Sequence, residues 1–291
     1  MKDKICLITG ANSGIGKVTA RELAKKGAHI IMLCRNEQKA ENAREDILRV
    51  CGHDKVDIVL ADLSSTKQIK EAAAKIRSEY PRIDVLINNA GMIMGNDRET
   101  TEDGFEWTFG VNHLAPFLLT HLLIDKVLAS KKGNIITVSS EAHRFANFDL
   151  NDLQMQRKYN GLKAYANSKL CNILFTHELA KRLKGTQTVS NTLHPGAIAS
   201  NFGKGVSGFF GFVMKLSRPF MISEEKGAET TIYLASSEEG YTANGLYFKN
   251  KKPASPTKVA TNDYNARRLW EVSEELLQVK FSPVKHKAAE G

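Results

Sequence analysis

Apolar, β-branched runs alternate with amphipathic stretches along most of this 291-residue chain, and this alternation limits the fold more than any other feature. The runs that read as buried strands cover residues 5–8, 28–33, 56–60, 85–87, 134–138 and 188–193. Helical periodicity with charged outer faces covers residues 17–26, 37–50, 66–80, 112–130 and 164–184. Such alternation is typical of βαβ units. The sequence therefore predicts an α/β fold, a doubly wound parallel sheet with helices on both faces and a ligand crevice at the carboxyl ends of its strands.

No internal repeat or linker divides the chain, so a single domain over residues 1–291 is expected. A further helix over residues 224–235 and a last strand over 245–248 complete the alternation. Residues 202–221 mix glycines with phenylalanines and are interpreted as a lid; a helix pair that packs on the core or on another subunit is the alternative. From about residue 253 a C-terminal extension carries an amphipathic helix, predicted over 262–279.

Composition excludes several classes of protein. The formal net charge is +9, but Lys and Arg are spread over the whole chain, so no nucleic acid partner is expected. The charge suits the attraction of an anionic cofactor, or a weak contact with a membrane surface. The four cysteines lack metal or redox spacing, and no signal peptide or membrane-spanning stretch is found. A cytoplasmic protein with reduced thiols is predicted. No metal site is predicted, because no metal-ligand spacing joins His113, His121, His143, His177 and His194.

A glycine-rich turn directly follows the first strand and precedes a helix. It reads Thr9-Gly10-Ala11-Asn12-Ser13-Gly14-Ile15-Gly16. Glycines allow a sharp turn and close approach to a pyrophosphate, while free amides and the helix dipole attract the anion. Gly10, Asn12, Ser13, Gly14, Ile15 and Gly16 are therefore predicted to bind a dinucleotide cofactor. A tight turn with no ligand is the alternative.

The residue after the second strand indicates which dinucleotide is bound. An NAD-binding enzyme is expected to place an acid there for the adenosine ribose, but the chain reads Cys34-Arg35. A guanidinium can pair with a 2′-phosphate through two parallel hydrogen bonds, so NADP(H) is favoured over NAD(H). Asp62 and Leu63 follow the third strand, where Asp62 could meet the adenine amino group or cap the next helix.

Tyr165 and Lys169 lie four residues apart in a predicted helix, which puts phenol and ammonium on one face. A nearby cation would lower the pKa of the phenol, as an acid/base group requires. Ser140 ends the fifth strand at the ligand-binding edge, where its hydroxyl could bind a substrate carbonyl oxygen, and Ser139 is the alternative. These residues predict carbonyl or alcohol chemistry.

Two asparagine-containing segments complete the pattern. Asn88-Asn89-Ala90-Gly91 closes the fourth strand, where Asn89, Ala90 and Gly91 could line the cofactor or only form a turn. Asn112 falls at a predicted helix start and could be a plain N-cap.

These motifs together resemble the short-chain dehydrogenase/reductase family over about residues 4–250. The matching order is Thr9-Gly10-x3-Gly14-x-Gly16, Asn88-Asn89-Ala90-Gly91, Asn112, Ser140, Tyr165-x3-Lys169 and Pro195-Gly196. The resemblance implies a Rossmann-type single domain in which Tyr165 is the acid/base and Ser140 orients the carbonyl. Lys169 would lower the pKa of Tyr165 and hold the nicotinamide ribose, and Asn112 would hold a water that links Lys169 to solvent.

Within the family, the chain is most similar to the retinol dehydrogenase group. The similarity rests on the glycine-rich turn, Cys34-Arg35, Val138-Ser139-Ser140-Glu141-Ala142-His143, Leu193-His194-Pro195-Gly196 and the 25-residue gap between Ser140 and Tyr165. It implies NADP(H) and a lipophilic alcohol or carbonyl substrate. Pro195, Gly196, Ile198 and Ser200 would bind the cofactor, with Ser200 where the family often has threonine. The amino-terminal membrane anchor of many retinol dehydrogenases is not found.

The leading hypothesis is therefore reversible carbonyl reduction with NADPH. A nucleotide-sensing binding protein with little turnover is the alternative, and peripheral docking on membranes is compatible with either. The helices before and after the fifth strand often form dimer contacts in this family, so a homodimer is one expectation. A C-terminal helix that covers this surface is the other.

Overall fold

The computed structural model describes residues 1–196 and 222–281. The predicted lid at 202–221 lies outside the described residues, as do Ile198 and Ser200. The strands are β1 (Ile5–Thr9), β2 (His29–Cys34), β3 (Val56–Leu60), β4 (Val85–Asn88), β5 (Asn134–Val138), β6 (Val189–His194), β7 (Tyr247–Lys249) and β8 (Lys252–Ala254). The helices are α1 (Gly14–Lys25), α2 (Glu37–Cys51), α3 (Thr66–Glu79), α4 (Trp107–Phe109), α5 (Ala115–Leu128), α6 (Gly161–Arg182), α7 (Glu224–Ser236), α8 (Glu239–Thr242) and α9 (Asp263–Leu277).

The strands of the described residues form one sheet in the order β3-β2-β1-β4-β5-β6-β7-β8. All neighbours are parallel except β7 and β8. The order reverses direction between β1 and β4, the point where such sheets bind ligands at the carboxyl ends of the strands. The predicted α/β fold class is confirmed.

Two apolar clusters cover the two faces of the sheet. Leu7 and Leu33 face the cluster beneath α3, α5, α6 and α9, whereas Ile8 and Met32 face the one beneath α1, α2 and α7. The side chains alternate between faces because successive residues of a strand point in opposite directions. Both faces are apolar, which explains why the central strands read as unbroken apolar runs.

The short edge strand β8 was not predicted. Asn250 and Lys251 both have positive φ angles, 52° and 62°, and turn the chain back after β7. Such a turn matches the twist of a two-residue hairpin. Pro253 in β8 cannot donate to a ladder, so this strand is confined to the edge of the sheet. A three-residue strand that contains proline gives no periodic signal.

The predicted helix over residues 112–130 has a more complex amino-terminal part. Residues Gly110–Leu114 are π-helical and join α4 to α5, and the Ala115 N–H donates to the Gly110 carbonyl five residues earlier. Pro116 has no N–H for the Asn112 carbonyl, the bond that an α-helix would make there. Asn112 therefore lies inside the helical stretch, and the interpretation of Asn112 as an N-cap is wrong.

The C-terminal helix α9 packs against α6. Trp270 is fully buried, stacks on Phe175 with ring centroids 5.8 Å apart, and meets Phe117 of α5 edge-on at 4.8 Å. Burial of an aromatic ring of this size contributes strongly to stability. This part of the face formed by α5 and α6 is thus covered by the chain's own extension.

Candidate active site

The glycine-rich turn between β1 and α1 has a backbone that only glycine accommodates. Gly10 and Gly14 have φ angles of +67° and +56°. A Cβ on Gly16 would lie 2.3 Å from the Gly10 carbonyl oxygen, so no side chain fits there. Ser13 is the N-cap of α1 but makes no side-chain capping bond. The first amides of α1 thus keep the open, electropositive environment that a pyrophosphate requires.

Thr9 connects this turn to the segment after β4. Its hydroxyl accepts hydrogen bonds from the N–H groups of Asn89 (3.0 Å) and Ala90 (2.9 Å), and the Asn89 side chain donates to the Thr9 carbonyl (2.9 Å). Thr9 is buried. The Asn89 side chain therefore serves the scaffold of the turn. Thr9 is the first residue of the glycine-rich motif, but the sequence predicted no hydrogen-bonding role for its side chain.

A cavity of about 560 Å³ opens at the carboxyl ends of the strands. Predicted residues on its wall are Gly10, Asn12, Ser13, Gly14, Ile15, Gly16, Arg35, Asp62, Leu63, Asn89, Ala90, Gly91, Ser140, Tyr165, Lys169, Pro195 and Gly196. Sequence reasoning assigned no ligand contact to Leu33, Cys34, Asn36, Lys39, Ala61, Met92, Trp107, Val111, Val138 and Glu224, which also line it. One cavity thus joins the turn to the Tyr165 region.

Arg35 lies at one end of this cavity, close to Asp62. The Arg35 Nη1 is 3.3 Å from Asp62 Oδ2, and the Arg35 side chain is 68% exposed. The other Asp62 oxygen accepts from the Ser64 N–H and hydroxyl. The helix after β3 is capped by Ser65, so the interpretation of Asp62 as its cap is wrong. Lys39, from the first turn of α2, adds a second cation to the same wall.

Tyr165 and Ser140 meet at the other end of the cavity. Burial raises the pKa of Tyr165 to about 12, and a hydrogen bond with the Ser140 hydroxyl opposes this rise. The sequence led us to expect a lowered pKa, with Lys169 as the cause. In the structure, the Lys169 Nζ lies 5.6 Å from the centroid of the Tyr165 ring, and burial of the phenol dominates. The phenol is protonated at neutral pH.

The structure also distinguishes the two serines at the end of β5. The Ser139 hydroxyl donates to the Lys169 carbonyl at 2.6 Å and so fastens α6 to the sheet. The Ser140 hydroxyl accepts from the Ala142 N–H at 3.1 Å and faces Tyr165. Successive residues of an extended chain point to opposite sides. Ser140 is therefore placed for contact with a substrate oxygen, and Ser139 for support.

Lys169 is buried beneath this site. Its Nζ donates to the Val138 carbonyl at 3.1 Å, and burial lowers its pKa to about 8. Gly91 lies directly above, where a Cβ would approach Lys169 Nζ to 3.1 Å. The ammonium keeps further N–H donors, because a Lys ammonium has three.

Comparison with known proteins connects this arrangement with a family. The family model described as short chain dehydrogenase matches residues 4–208. The chain belongs to the short-chain dehydrogenase family. It is therefore an oxidoreductase of a family that uses a nicotinamide cofactor.

Two relatives of this short-chain dehydrogenase share most of its length. Human retinol dehydrogenase 13 is 44% identical over 288 residues, which cover 97% of this chain and 87% of the relative. Retinol dehydrogenase 12 of Mus musculus is 41% identical over 278 residues, with coverage of 96% and 87%. The resemblance to the retinol dehydrogenase group is thereby confirmed.

Solved structures show the same fold. An uncharacterized protein from Mycobacterium paratuberculosis is 32% identical with a TM-score of 0.78, and the match covers 97% of this chain and 96% of that one. A short chain dehydrogenase from Escherichia coli CFT073, crystallised with NADPH, is 24% identical with a TM-score of 0.67 and coverage of 87% and 98%.

Asn112 of this short-chain dehydrogenase lies behind the cavity wall and is fully buried. Its side-chain oxygen accepts from the Met92 N–H, and its amide donates to the Met92 carbonyl, both at 2.8 Å. The amide also donates to the Ser168 hydroxyl at 3.0 Å. Asn112 thus connects the loop after β4 with α6, next to Lys169. Its side chain is engaged within the protein, and the water contact stays a prediction.

Two further properties of the described residues concern metal ions and membranes. Within residues 1–196 and 222–281, no three His, Cys, Asp or Glu side chains gather to hold a metal ion. No helix of the described part is both long and apolar enough to cross a membrane.

Proposed function

We propose that this protein is an NADP(H)-dependent oxidoreductase that interconverts lipophilic alcohols with aldehydes or ketones. The observation that carries the proposal is one cavity, with Arg35 and the glycine-rich turn at one end and the Ser140–Tyr165 pair at the other. Dinucleotide binding and proton transfer can therefore occur in a single site.

The state of Tyr165 favours reduction. A phenol with a pKa near 12 carries its proton at neutral pH, so it can donate that proton to a substrate oxygen. The bound nicotinamide supplies or accepts the hydride. The Ser140 hydroxyl would hydrogen-bond the same oxygen and stabilise the negative charge that develops on it. In the oxidation of an alcohol the same groups act in reverse, with Tyr165 as the proton acceptor.

Lys169 has a distinct role in this proposal. With a pKa near 8 it is mostly charged at neutral pH, and it lines the cavity. An ammonium has three N–H donors, so Lys169 could bind a ribose hydroxyl in addition to the Val138 carbonyl. Its charge would also favour the transient phenolate of Tyr165 after proton transfer. Asn112 holds the segment that faces Lys169 through the bonds to Met92.

The preference for NADP(H) rests on Arg35. A guanidinium at the end of β2 offers a bidentate partner to a 2′-phosphate, and Lys39 adds positive charge on the same wall. Asp62 is engaged by Arg35 and Ser64, so its carboxylate is partly neutralised. An exposed acid that would bind a ribose 2′-hydroxyl is replaced by the arginine.

A lipophilic substrate is supported by apolar residues on the cavity wall. Met92, Trp107 and Val111 present apolar surface to the cavity. The human and mouse relatives are named retinol dehydrogenases, and retinol is such a molecule. A retinoid is therefore one substrate to test, beside other hydrophobic aldehydes and ketones.

A carbonyl screen tests the proposal. The protein is incubated with retinaldehyde, medium-chain aldehydes and aromatic ketones, and the absorbance of NADPH or NADH is followed. We expect turnover with NADPH, little turnover with NADH, and loss of turnover in Tyr165→Phe with NADPH binding preserved. Tyr264→Phe makes the same change at a 58% exposed tyrosine and serves as the control. A Tyr165→Phe rate close to that of the wild type would contradict the proposed role of the phenol.

A further inference from the structure

The turn that follows Ser140 is held by hydrogen bonds from three other parts of the chain. Residues Glu141–Phe145 form a short 3-10 helix with Ser140 as its N-cap. His143 in this turn is 1% exposed and lies between Ser140 and Thr257, a residue of the C-terminal extension. We infer that His143 is a positioning residue, which fixes the main chain of Ser140 through one neutral tautomer imposed by Thr257.

The tautomer follows from the two ring contacts. The Thr257 backbone N–H lies 3.3 Å from His143 Nε2, and a backbone N–H can only donate. Nε2 must therefore accept and carries no proton. In a neutral imidazole the proton is then on Nδ1, which lies 2.7 Å from the Ser140 carbonyl oxygen and donates to it. The His143 backbone N–H donates to the same oxygen at 3.1 Å.

The surroundings of the imidazole favour its neutral form. Burial lowers the pKa of His143, with an opposing contribution from its bond to Ser140. The charged or titratable groups that face it are Glu141, Arg144, His194 and the Tyr247 phenol, whose ring lies edge-on at 5.3 Å. The Glu141 carboxylate accepts from the Tyr247 hydroxyl and is paired with Arg144 and Lys249, so it does not bond to His143.

The other contacts of the turn show what His143 adds. The Glu141 N–H donates to His194 Nδ1 at 3.2 Å, and the Glu141 side chain joins β7 through Tyr247 and Lys249. These contacts hold the peptide after Ser140. Among the residues that the structure describes, only His143 contributes a side-chain bond to the Ser140 carbonyl itself. The Ala142 N–H of the same turn donates to the Ser140 hydroxyl, which faces Tyr165. A turn fixed at the Ser140 carbonyl therefore also holds this donor, and with it the Ser140 hydroxyl, in place.

This inference rests on the proposed function, because Ser140 is assigned a role in turnover. The inference predicts that turnover depends on the N–H donor at His143 Nδ1 and not on the acceptor at Nε2. An asparagine side chain can place its amide N–H where Nδ1 lies, whereas a glutamine reaches the position of Nε2. His143→Asn therefore retains the donor to Ser140, and His143→Gln retains only an acceptor for Thr257.

The experiment compares these two variants in the full-length protein. With a carbonyl substrate and NADPH, we expect His143→Asn to keep kcat within about threefold of the wild type. His143→Gln should lower kcat about tenfold, the size expected for one lost hydrogen bond, with the KM for NADPH unchanged. Equal losses in both variants, or no loss in His143→Gln, would overturn the inference.

A second measurement does not depend on the variants being active. The nitrogen-15 shifts of the wild-type histidine rings distinguish the tautomers at pH 7. We expect a protonated Nδ1 and an unprotonated Nε2 for His143, and the opposite tautomer would overturn the inference. If the wild type binds NADPH but turns over no carbonyl, the proposed function fails instead. Wild-type turnover with equal rates for the two variants leaves that function intact and rejects only the role of His143.

Discussion

Replacement of Arg35 tests the cofactor assignment most directly. Arg35→Ser removes the cation and its paired N–H donors, and Arg35→Lys keeps the charge but loses the bidentate geometry. The matched control is Arg49→Ser on the outer part of α2, because Arg49 is 69% exposed, as Arg35 is 68% exposed, but does not line the cavity. NADPH and NADH differ only in the 2′-phosphate, so NADH serves as the internal reference.

The magnitude follows from the environment of Arg35. Hydrogen bonds to charged groups contribute about 1.5–3 kcal/mol each in proteins. The side chain is mostly exposed and is shared with Asp62 at 3.3 Å, so solvent and the ion pair reduce its contribution. We therefore expect Arg35 to contribute about as much binding free energy as one such bond, about 1.5–3 kcal/mol. Its loss would raise the Kd for NADPH about 10- to 150-fold. The Kd for NADH should change less than about threefold.

The assay is a fluorescence titration, since Trp107 lines the cavity and its emission should change when a nicotinamide cofactor binds. Arg35→Lys should bind NADPH with an affinity between those of the wild type and Arg35→Ser. A ratio of the two Kd values that stays at the wild-type level in Arg35→Ser would refute the phosphate-binding role of Arg35. Equal weakening by Arg49→Ser would indicate general electrostatic attraction instead.

Two further predictions concern the turn and the buried ammonium. Gly16→Ala should raise the Kd for NADPH at least about tenfold, because its Cβ would lie 2.3 Å from a backbone oxygen; Gly95→Ala, which points into open space, is the control. At pH 7, urea unfolding should give Lys169→Met a free energy of unfolding up to about 3 kcal/mol higher than that of the wild type. The reason is that the native lysine has a pKa near 8, against 10.5 in the unfolded chain. Between these pH values the unfolded wild type binds the extra proton, so wild-type stability rises with pH and the difference should vanish near pH 10.5. Lys67→Met replaces an 81% exposed side chain, so its difference in free energy of unfolding from the wild type should not change with pH. If the difference for Lys169→Met were also independent of pH, the charge of Lys169 would not destabilise the fold.

Several elements could have been placed more accurately from the sequence. The helix predicted from residue 164 begins at Gly161, because the Asn160 side chain caps it by accepting from the Lys163 N–H. The asparagine was a visible signal. Pro116, four residues after Asn112, also argued against a regular helix there.

Other features had no signal in the chain. Lys39 reaches the cavity only because α2 starts beside Arg35 and turns its first residues toward the crevice. Met92 and Val111 line the same space because the loop after β4 lies against the helical segment that carries Asn112. These residues line the cavity because segments that are far apart in sequence pack close together. The periodicity of a sequence gives no information about such distances.

The sequence by itself determined the fold class, the edge of the sheet where the cavity opens, and the phenol and ammonium on one helix face. These follow from local periodicity and from fixed spacing along the chain, which the covalent backbone carries into any structure. Only the tertiary structure decided that Ser140 faces Tyr165 while Ser139 supports Lys169, and that burial raises one pKa and lowers the other. Burial and hydrogen bonds between distant segments exist only after the chain has packed, and they set the protonation state of the site.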